Sequence, residues 1–260
     1  MQTKPSLEDT LSLMRDLRAR CDWDAAQTHE SLRPYLIEEA YEVDDAIRSG
    51  DDAKLREELG DLLLQILFHS VLAEERDAFT MHDVAAGFIT KMKGRHPHLY
   101  EQGARESWEK MKAKRRESVV DGLPADLPAL HRAFRLQDRA AGVGFDWPDV
   151  SGPMLKVEEE LIEVREELTN NPPPVNGATP KFDSSHERLE EELGDVLFAV
   201  VNVCRKAGVH PALALDKANV KFATRFSAVE RMAAERGLKV GEASLKQLDA
   251  LWDEVKSGEE

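Results

Sequence analysis

Residues 189–197 read LEEELGDVL, and residues 55–63 read LREELGDLL. Upstream of each copy stands a second acidic cluster of pattern E-E-x-x-E-V. It comprises Glu38, Glu39, Glu42 and Val43 in the first half, and Glu159, Glu160, Glu163 and Val164 in the second. The same five acids, written in one order twice, describe a duplicated unit. At ~100° per residue, Glu38, Glu39 and Glu42 share a helical sector beside the apolar stripe Leu32, Leu36, Val43 and Ile47. Glu58 and Asp61 lie on one strip of the next helix, where it turns apolar nearly all round: Leu62, Leu63, Leu64, Ile66, Leu67 and Phe68. Such a helix belongs in an interior. Gly60, between those acids, costs about 1 kcal/mol of helix propensity against alanine, and its expected use is close approach by a facing helix.

Working outward, Leu7, Leu11, Met14 and Leu17 predict a helix over 6–20 with Ser6 as N-cap, broken by Cys21-Asp22-Trp23-Asp24. The first acidic helix is expected to start near Thr28 or Ser31, with Pro34 in its first turn, and to end at Ser49-Gly50-Asp51-Asp52. Helices over 53–75, 81–93 and 106–117 follow, the last basic and carrying Trp108. VVDGLPADLPA, residues 118–128, has glycine, two prolines and little periodicity, and reads as a linker. The pattern then repeats with helices over 129–141, 152–168, 186–206 and 212–236, and Asp146-Trp147 echoes Asp22-Trp23. A proline-rich insert, 170–185, stretches the second copy: Glu42 to Glu58 spans 16 residues, Glu163 to Glu192 spans 29. Alternating strand patterns are nearly absent. The expected architecture is all-α, with an N-terminal helical domain over 1–117, the linker 118–128, and a homologous C-terminal domain over 129–260.

The 260 residues carry a formal charge of −15, which speaks against a general nucleic-acid binder. Two cysteines, Cys21 and Cys204, give no disulfide framework, and no apolar run approaches the ~18 residues of a membrane span. The start MQTKPSLEDT has no apolar signal core. A cytoplasmic protein without membrane or nucleic-acid partners is the expectation.

In a chain with a third of its residues charged, an isolated E-E-x-x-E is ordinarily a solvated stripe. Here the acids flank apolar stripes, and Asp61 and Asp195 head the most apolar helices. Packing those helices gathers carboxylates at a cost that cations must offset. All-oxygen ligation selects Mg²⁺, or Mn²⁺, over zinc. Paired ions of this kind suit hydrolysis of phosphate esters and anhydrides. A di-iron bundle wants E-x-x-H, and no histidine here has glutamate three residues before it. Lys221 and Arg225, one turn apart, could meet phosphates, and Lys91 and Arg95 repeat that spacing; the spacing by itself is common. Trp252 in WDEVK and Trp108 in WEKMK recur as a pair, and either packing or stacking on a base would account for them.

Together these features resemble the MazG family of nucleoside triphosphate pyrophosphohydrolases, in its two-domain form. They include the doubled E-E-x-x-E / E-x-x-D signature, R-H-P-H at 95–98, G-V-G-F-D-W at 142–147 and K-A-N-x-K-F at 217–222. The resemblance implies Mg²⁺-dependent cleavage between the α and β phosphates to a nucleoside monophosphate and pyrophosphate, in a housecleaning role. It also implies four-helix-bundle cores completed across a homodimer interface. Carried over residue by residue, Glu159, Glu160, Glu163, Glu192 and Asp195 are the metal ligands and catalytic acids of the C-terminal site. Lys156, Arg188 and Glu191 border it, Lys221 and Arg225 contact phosphates, and Trp252 contacts the nucleotide. Glu38, Glu39, Glu42, Glu58 and Asp61 form the matching N-terminal metal set; in related enzymes the C-terminal site is the one that turns over. One departure is Cys21-Asp22-Trp23-Asp24, where the family usually has C-P-W-D. A helical interaction scaffold with inactive acid sites and a dUTPase-like or damaged-nucleotide hydrolase stand as alternatives.

Overall fold

A computed structural model describes residues 4–100, 118–172 and 186–258. The expected helix over 106–117, Trp108 and most of the 170–185 insert lie outside them. The described secondary structure is helical throughout, as the sequence predicts, and it falls into two compact units, Met1–Arg105 and Glu106–Glu260.

Unit 1 starts with α1, Leu7–Arg20, where Ser6 and Asp9 form a reciprocal capping box worth about 1 kcal/mol. The Cys21–Asp24 break is itself a short helix, α2, Asp22–Ala26. Arg18, on α1, clamps it: the guanidinium donates to the carbonyls of Asp24, Ala25 and Gln27 and pairs with Glu75. The first acidic helix, α3, runs His29–Ser49 from a Thr28 capping box, so Pro34 falls in the second turn, inside the helix rather than at its start. Proline there removes one intrahelical donor. Gly50, at φ 69°, ends α3 in the left-handed conformation, and Asp51 caps the next helix at once. That helix, α4, runs Asp52–Glu74 and packs back along α3. Leu11 and Met14 of α1, Leu32 of α3, and Leu67, Phe68, Val71 and Leu72 of α4 form the core. Helices α5, Met81–Arg95, and α6, Pro97–Tyr100, follow.

Unit 2 opens with α7, Ala129–Gly142, followed by α8, Ser151–Asn170, and α9, Glu187–Lys206. The pair α8/α9 repeats α3/α4. The expected linker is not a bare spacer: Arg139 of α7, itself buried, donates to the carbonyls of Val119 and Asp121 at 3.0 and 2.9 Å. Helices α10, Pro211–Glu235, and α11, Leu245–Ser257, pack together through Val229, Ala233 and Leu251. Among the described residues no single helix is long and apolar enough to cross a membrane.

Two expectations for the apolar helices change. Ile47 of the predicted α3 stripe is 59% exposed, and the buried residue there is Ala46. Helix α4 is not buried all round within the chain, since Ile66 is exposed on the side away from Leu67 and Phe68, and Leu64, one turn before them, is exposed as well. On α9, Leu193, Leu197, Phe198 and Val200 are likewise exposed while Ala199 and Val201 are buried. Gly60 meets no facing helix in its unit: a Cβ built there would have nothing within 4 Å, and Gly194 is the same.

Candidate metal centre

In each unit two antiparallel neighbours bring the acids together. The E-E-x-x-E residues sit mid-helix on α3 or α8, and E-L-G-D sits near the start of α4 or α9, so the helix pairing faces one set with the other. In unit 1, Glu39, Glu58 and Asp61 each offer a carboxylate oxygen within 4.8 Å of the other two. In unit 2 the trio is Glu160, Glu163 and Glu192; Glu160 and Glu192 match Glu39 and Glu58, while Glu163 matches Glu42 and stands third where unit 1 has Asp61. The structure thus gathers three of the five expected acids per unit into a ligand-sized group. Glu42 lies beside the first trio, close enough to act on Glu39 and Glu58 electrostatically. Asp195 stands one turn beyond Glu192 and is exposed, and Glu38 and Glu159 are exposed on the outer flank.

The surroundings are less dry than the apolar helices suggest. Glu160 is the buried member, at 7% exposure; Glu192, Glu39, Glu58 and Asp61 are half-buried, and Glu163 is exposed. Crowding still marks them. Burial, then the charges of Asp61, Glu42 and Glu58, raise the Glu39 carboxyl above its ordinary value. Glu58 is raised by burial and then by Glu42. Glu163 is raised chiefly by its hydrogen bond with Glu192. One oxygen of Glu39, Oε2, is buried with no hydrogen-bond donor. Carboxylates gathered in threes, with an orphaned buried oxygen and no nitrogen or sulfur donor among them, fit a hard divalent cation at about 2.1 Å per oxygen.

The cations differ between units. In unit 2, Lys156 Nζ lies 2.7 Å from Glu160 Oε1 and 3.1 Å from Glu159 Oε1. Counted from E-E-x-x-E, the position of Lys156 is taken in unit 1 by Tyr35, whose ring stands edge-on to Trp23 at 6.3 Å. Arg188 lies 3.8 Å from the buried Glu167, which also accepts from Asn171. Glu191 is exposed on α9.

Lys221 and Arg225 stand on α10, and Trp252 on α11. Trp252 packs: it lies against the Val229–Leu251 core with its ring 5.3 Å from Phe222. Helix α10 packs on α11, on α7 and, more lightly, on α9, and α11 packs on α10.

Two features escaped sequence reading. Asp146 accepts from Lys206 Nζ and from Arg205, which also bonds Asn202, and its carboxyl is held below the usual range, chiefly by Arg205. The echo with Asp22-Trp23 flagged this residue but not its partners 59 and 60 positions on. Beside it, Leu136, Gln137, Phe145, Trp147, Phe198 and Asn202 line a cleft of about 520 Å³. Trp147 lies flat on α8, where a Cβ on Gly152 would come within 2.4–3.0 Å of the indole.

Comparison with known proteins agrees with this duplicated geometry. The MazG nucleotide pyrophosphohydrolase domain model matches twice, over residues 27–100 and 152–229, enclosing both acid clusters. The nucleoside triphosphate pyrophosphohydrolase/pyrophosphatase MazG of Thermotoga maritima is 41% identical over 262 residues, covering 97% of this chain and 96% of the relative. The nucleoside triphosphate pyrophosphohydrolase of Escherichia coli is 40% identical, covering 95% of this chain and 94% of its own length. The Mycobacterium tuberculosis enzyme of the same name is 44% identical across 53% of this chain and 46% of its own length. With both repeats matched and relatives aligned almost end to end, the chain belongs to the MazG nucleotide pyrophosphohydrolase family.

Proposed function

We propose that this protein is a Mg²⁺-dependent nucleoside triphosphate pyrophosphohydrolase, cleaving between the α and β phosphates to release a nucleoside monophosphate and pyrophosphate. The observation that carries this reading is the Glu160–Glu163–Glu192 trio, built by a chain that aligns over nearly its whole length with enzymes of that name. Glu160, Glu163 and Glu192 would hold the ion, with Asp195 and Glu159 within a turn on the same helices. Bound Mg²⁺ or Mn²⁺ supplies positive charge against phosphate oxygens and makes nearby water more acidic. The chain's own part is positional and protonic. Of Glu163 and Glu192, one would ligate and the other would take a proton from an attacking water. Lys156, Lys221 and Arg225 offer cations for charge that builds on the phosphates, with Arg188 and Glu191 at the border of the site. Trp252 is assigned to the nucleoside end. In unit 1, Glu38, Glu39, Glu42, Glu58 and Asp61 are the matching ion-holding set.

The domain limits we assign are 1–117 and 129–260, joined by 118–128. The working form is assigned as a cytoplasmic homodimer. The exposed apolar residues of α4 and α9 favour it, because burying them against a second copy removes them from water at about 25 cal/mol per Å². A dimer would also let α10 and α11 of one copy approach the acids of the other.

The test is pyrophosphate release from a panel of nucleoside triphosphates, with and without Mg²⁺, and with the products identified. Monophosphate and pyrophosphate appearing only with the ion is the expected result. Release of orthophosphate instead, or turnover unaffected by chelation, would reject the assignment. Turnover confined to dUTP or to a damaged nucleotide would narrow it.

A further inference from the structure

Lys156 precedes Glu160 by one helical turn, so its 2.7 Å contact with Glu160 is built into α8. The ammonium also reaches Glu159, at 3.1 Å. Glu160 is the buried carboxylate of its trio, and Lys156 is its ion-pair partner among the described residues. Unit 1 has no such arrangement. Tyr35 stands in the lysine's position, Lys54 pairs with Asp45 at 2.5 Å and acts on Glu58 only at a distance, and among the described residues no ion pair reaches Glu39, Glu58 or Asp61.

An ammonium and a divalent ion on one carboxylate repel each other strongly in a partly dehydrated place. The lysine side is the mobile one: its side chain is 40% exposed on a flexible four-carbon stem, whereas that of Glu160 is 9% exposed. Resting on the metal-dependent reading above, we propose that Lys156 competes with the divalent ion for Glu160. It yields when a nucleotide's phosphates offer the ammonium a replacement anion. Ion and nucleotide therefore load unit 2 cooperatively, while unit 1 takes its ion without nucleotide. Lys156 is on this account a positioning residue as well as a phosphate contact, and the coupling is reciprocal: each ligand tightens the other by one factor.

The experiment is Mn²⁺ binding to the full-length chain by calorimetry and electron paramagnetic resonance, with and without α,β-methylene ATP. A Glu39→Gln background removes the unit 1 ion, so that unit 2 alone is read. Lys156→Met should tighten nucleotide-free Mn²⁺ binding roughly tenfold, and Lys156→Arg, which keeps the charge, should leave it within about twofold. The analogue should tighten Mn²⁺ about tenfold when Lys156 is present and much less in Lys156→Met. Unchanged or weaker nucleotide-free binding in Lys156→Met overturns the proposal, and Mn²⁺-dependent cleavage by the native chain would then leave the assigned activity standing. No Mn²⁺ uptake under any condition, with no cleavage by the native chain, would instead remove the metal reading and this inference with it.

Discussion

Two acid trios, one per unit, come from the same signature and differ in what neutralises them. Around Glu39 the burden falls on the carboxyls themselves, which are pushed up by burial and by each other, leaving Oε2 with no donor. Around Glu160 a lysine from the same helix does the neutralising. The lesson is that identical ligand lists do not make equivalent sites. One unit is electrostatically unsatisfied and ready for a cation, whereas the other carries a cation that something must displace. The same asymmetry runs through the turn before the acidic helix. Trp23 is held within α2, edge-on to Tyr35 and Phe68, while Trp147 lies on Gly152 beside an Asp146 tied to α9.

The largest effect that would break or sharpen this comparison is catalytic. Losing an ion's charge stabilisation, several kcal/mol, corresponds to a rate loss on the order of 10²–10⁴. We expect that loss in pyrophosphate release for Glu160→Ala or Asp195→Ala, with helicity by circular dichroism intact. Glu39→Ala should stay within a few-fold; equal losses at Glu39 and Glu160 would make the units functional equals. Next comes Asp146. Removing it takes from Arg205 and Lys206 their carboxylate, leaving them Asn202 and the Trp147 carbonyl, and hydrogen bonds to charged groups are worth about 1.5–3 kcal/mol. Asp146→Ala should therefore lower stability in urea by about that amount, whereas Asp22→Ala, which has no such partners among the described residues, should change it by less than about 0.5 kcal/mol.

Glycines give the third contrast. Gly152→Ala forces its new methyl into Trp147, at an overpacking cost of about 1–3 kcal/mol, seen as a lower Tm. Gly60→Ala and Gly194→Ala meet open space and should raise Tm through a helix-propensity gain of up to about 1 kcal/mol. A lowered Tm at Gly60 would mean that a helix of another copy packs there. The smallest effect is a pH dependence. Asp146 has its carboxyl depressed in the fold, chiefly by Arg205, so the stability it contributes is complete above the ordinary value of about 3.9 and lost as pH falls through the lower folded value. The stability gap between the native chain and Asp146→Asn should stay flat from neutral pH down to about 5 and close below about 4.

The helices were legible because apolar period, caps and breakers agree locally. Ser6, Thr28, Gly50 and Asp51 each do at the backbone what their residue type favours. The pairing of the two acidic segments was legible because the duplication repeats it. What local pattern could not carry was one-sidedness. The run Leu62 to Phe68 reads as apolar all round, yet Leu64 and Ile66 stay exposed, since which side of such a helix finds a partner depends on segments distant in sequence. Pro34 was displaced by one turn because Thr28 outcompetes Ser31 as the cap. The Asp146–Arg205–Lys206 ties span about sixty residues and have no local signature. Lys156 was legible as a border residue through the family resemblance, but its contrast with unit 1 emerges only when it is set against Tyr35.

The grip of Arg139 on the carbonyls of Val119 and Asp121 bears on where the chain can be cut. A scission placed just ahead of α7, at the obvious proline, would strip a buried guanidinium of its acceptors and leave the released C-terminal half with a wound in its own foundation. Severing upstream of Ser118 keeps that cuff with the half it supports. Dissection of the two units should start there, lest a damaged fragment be mistaken for an inactive site.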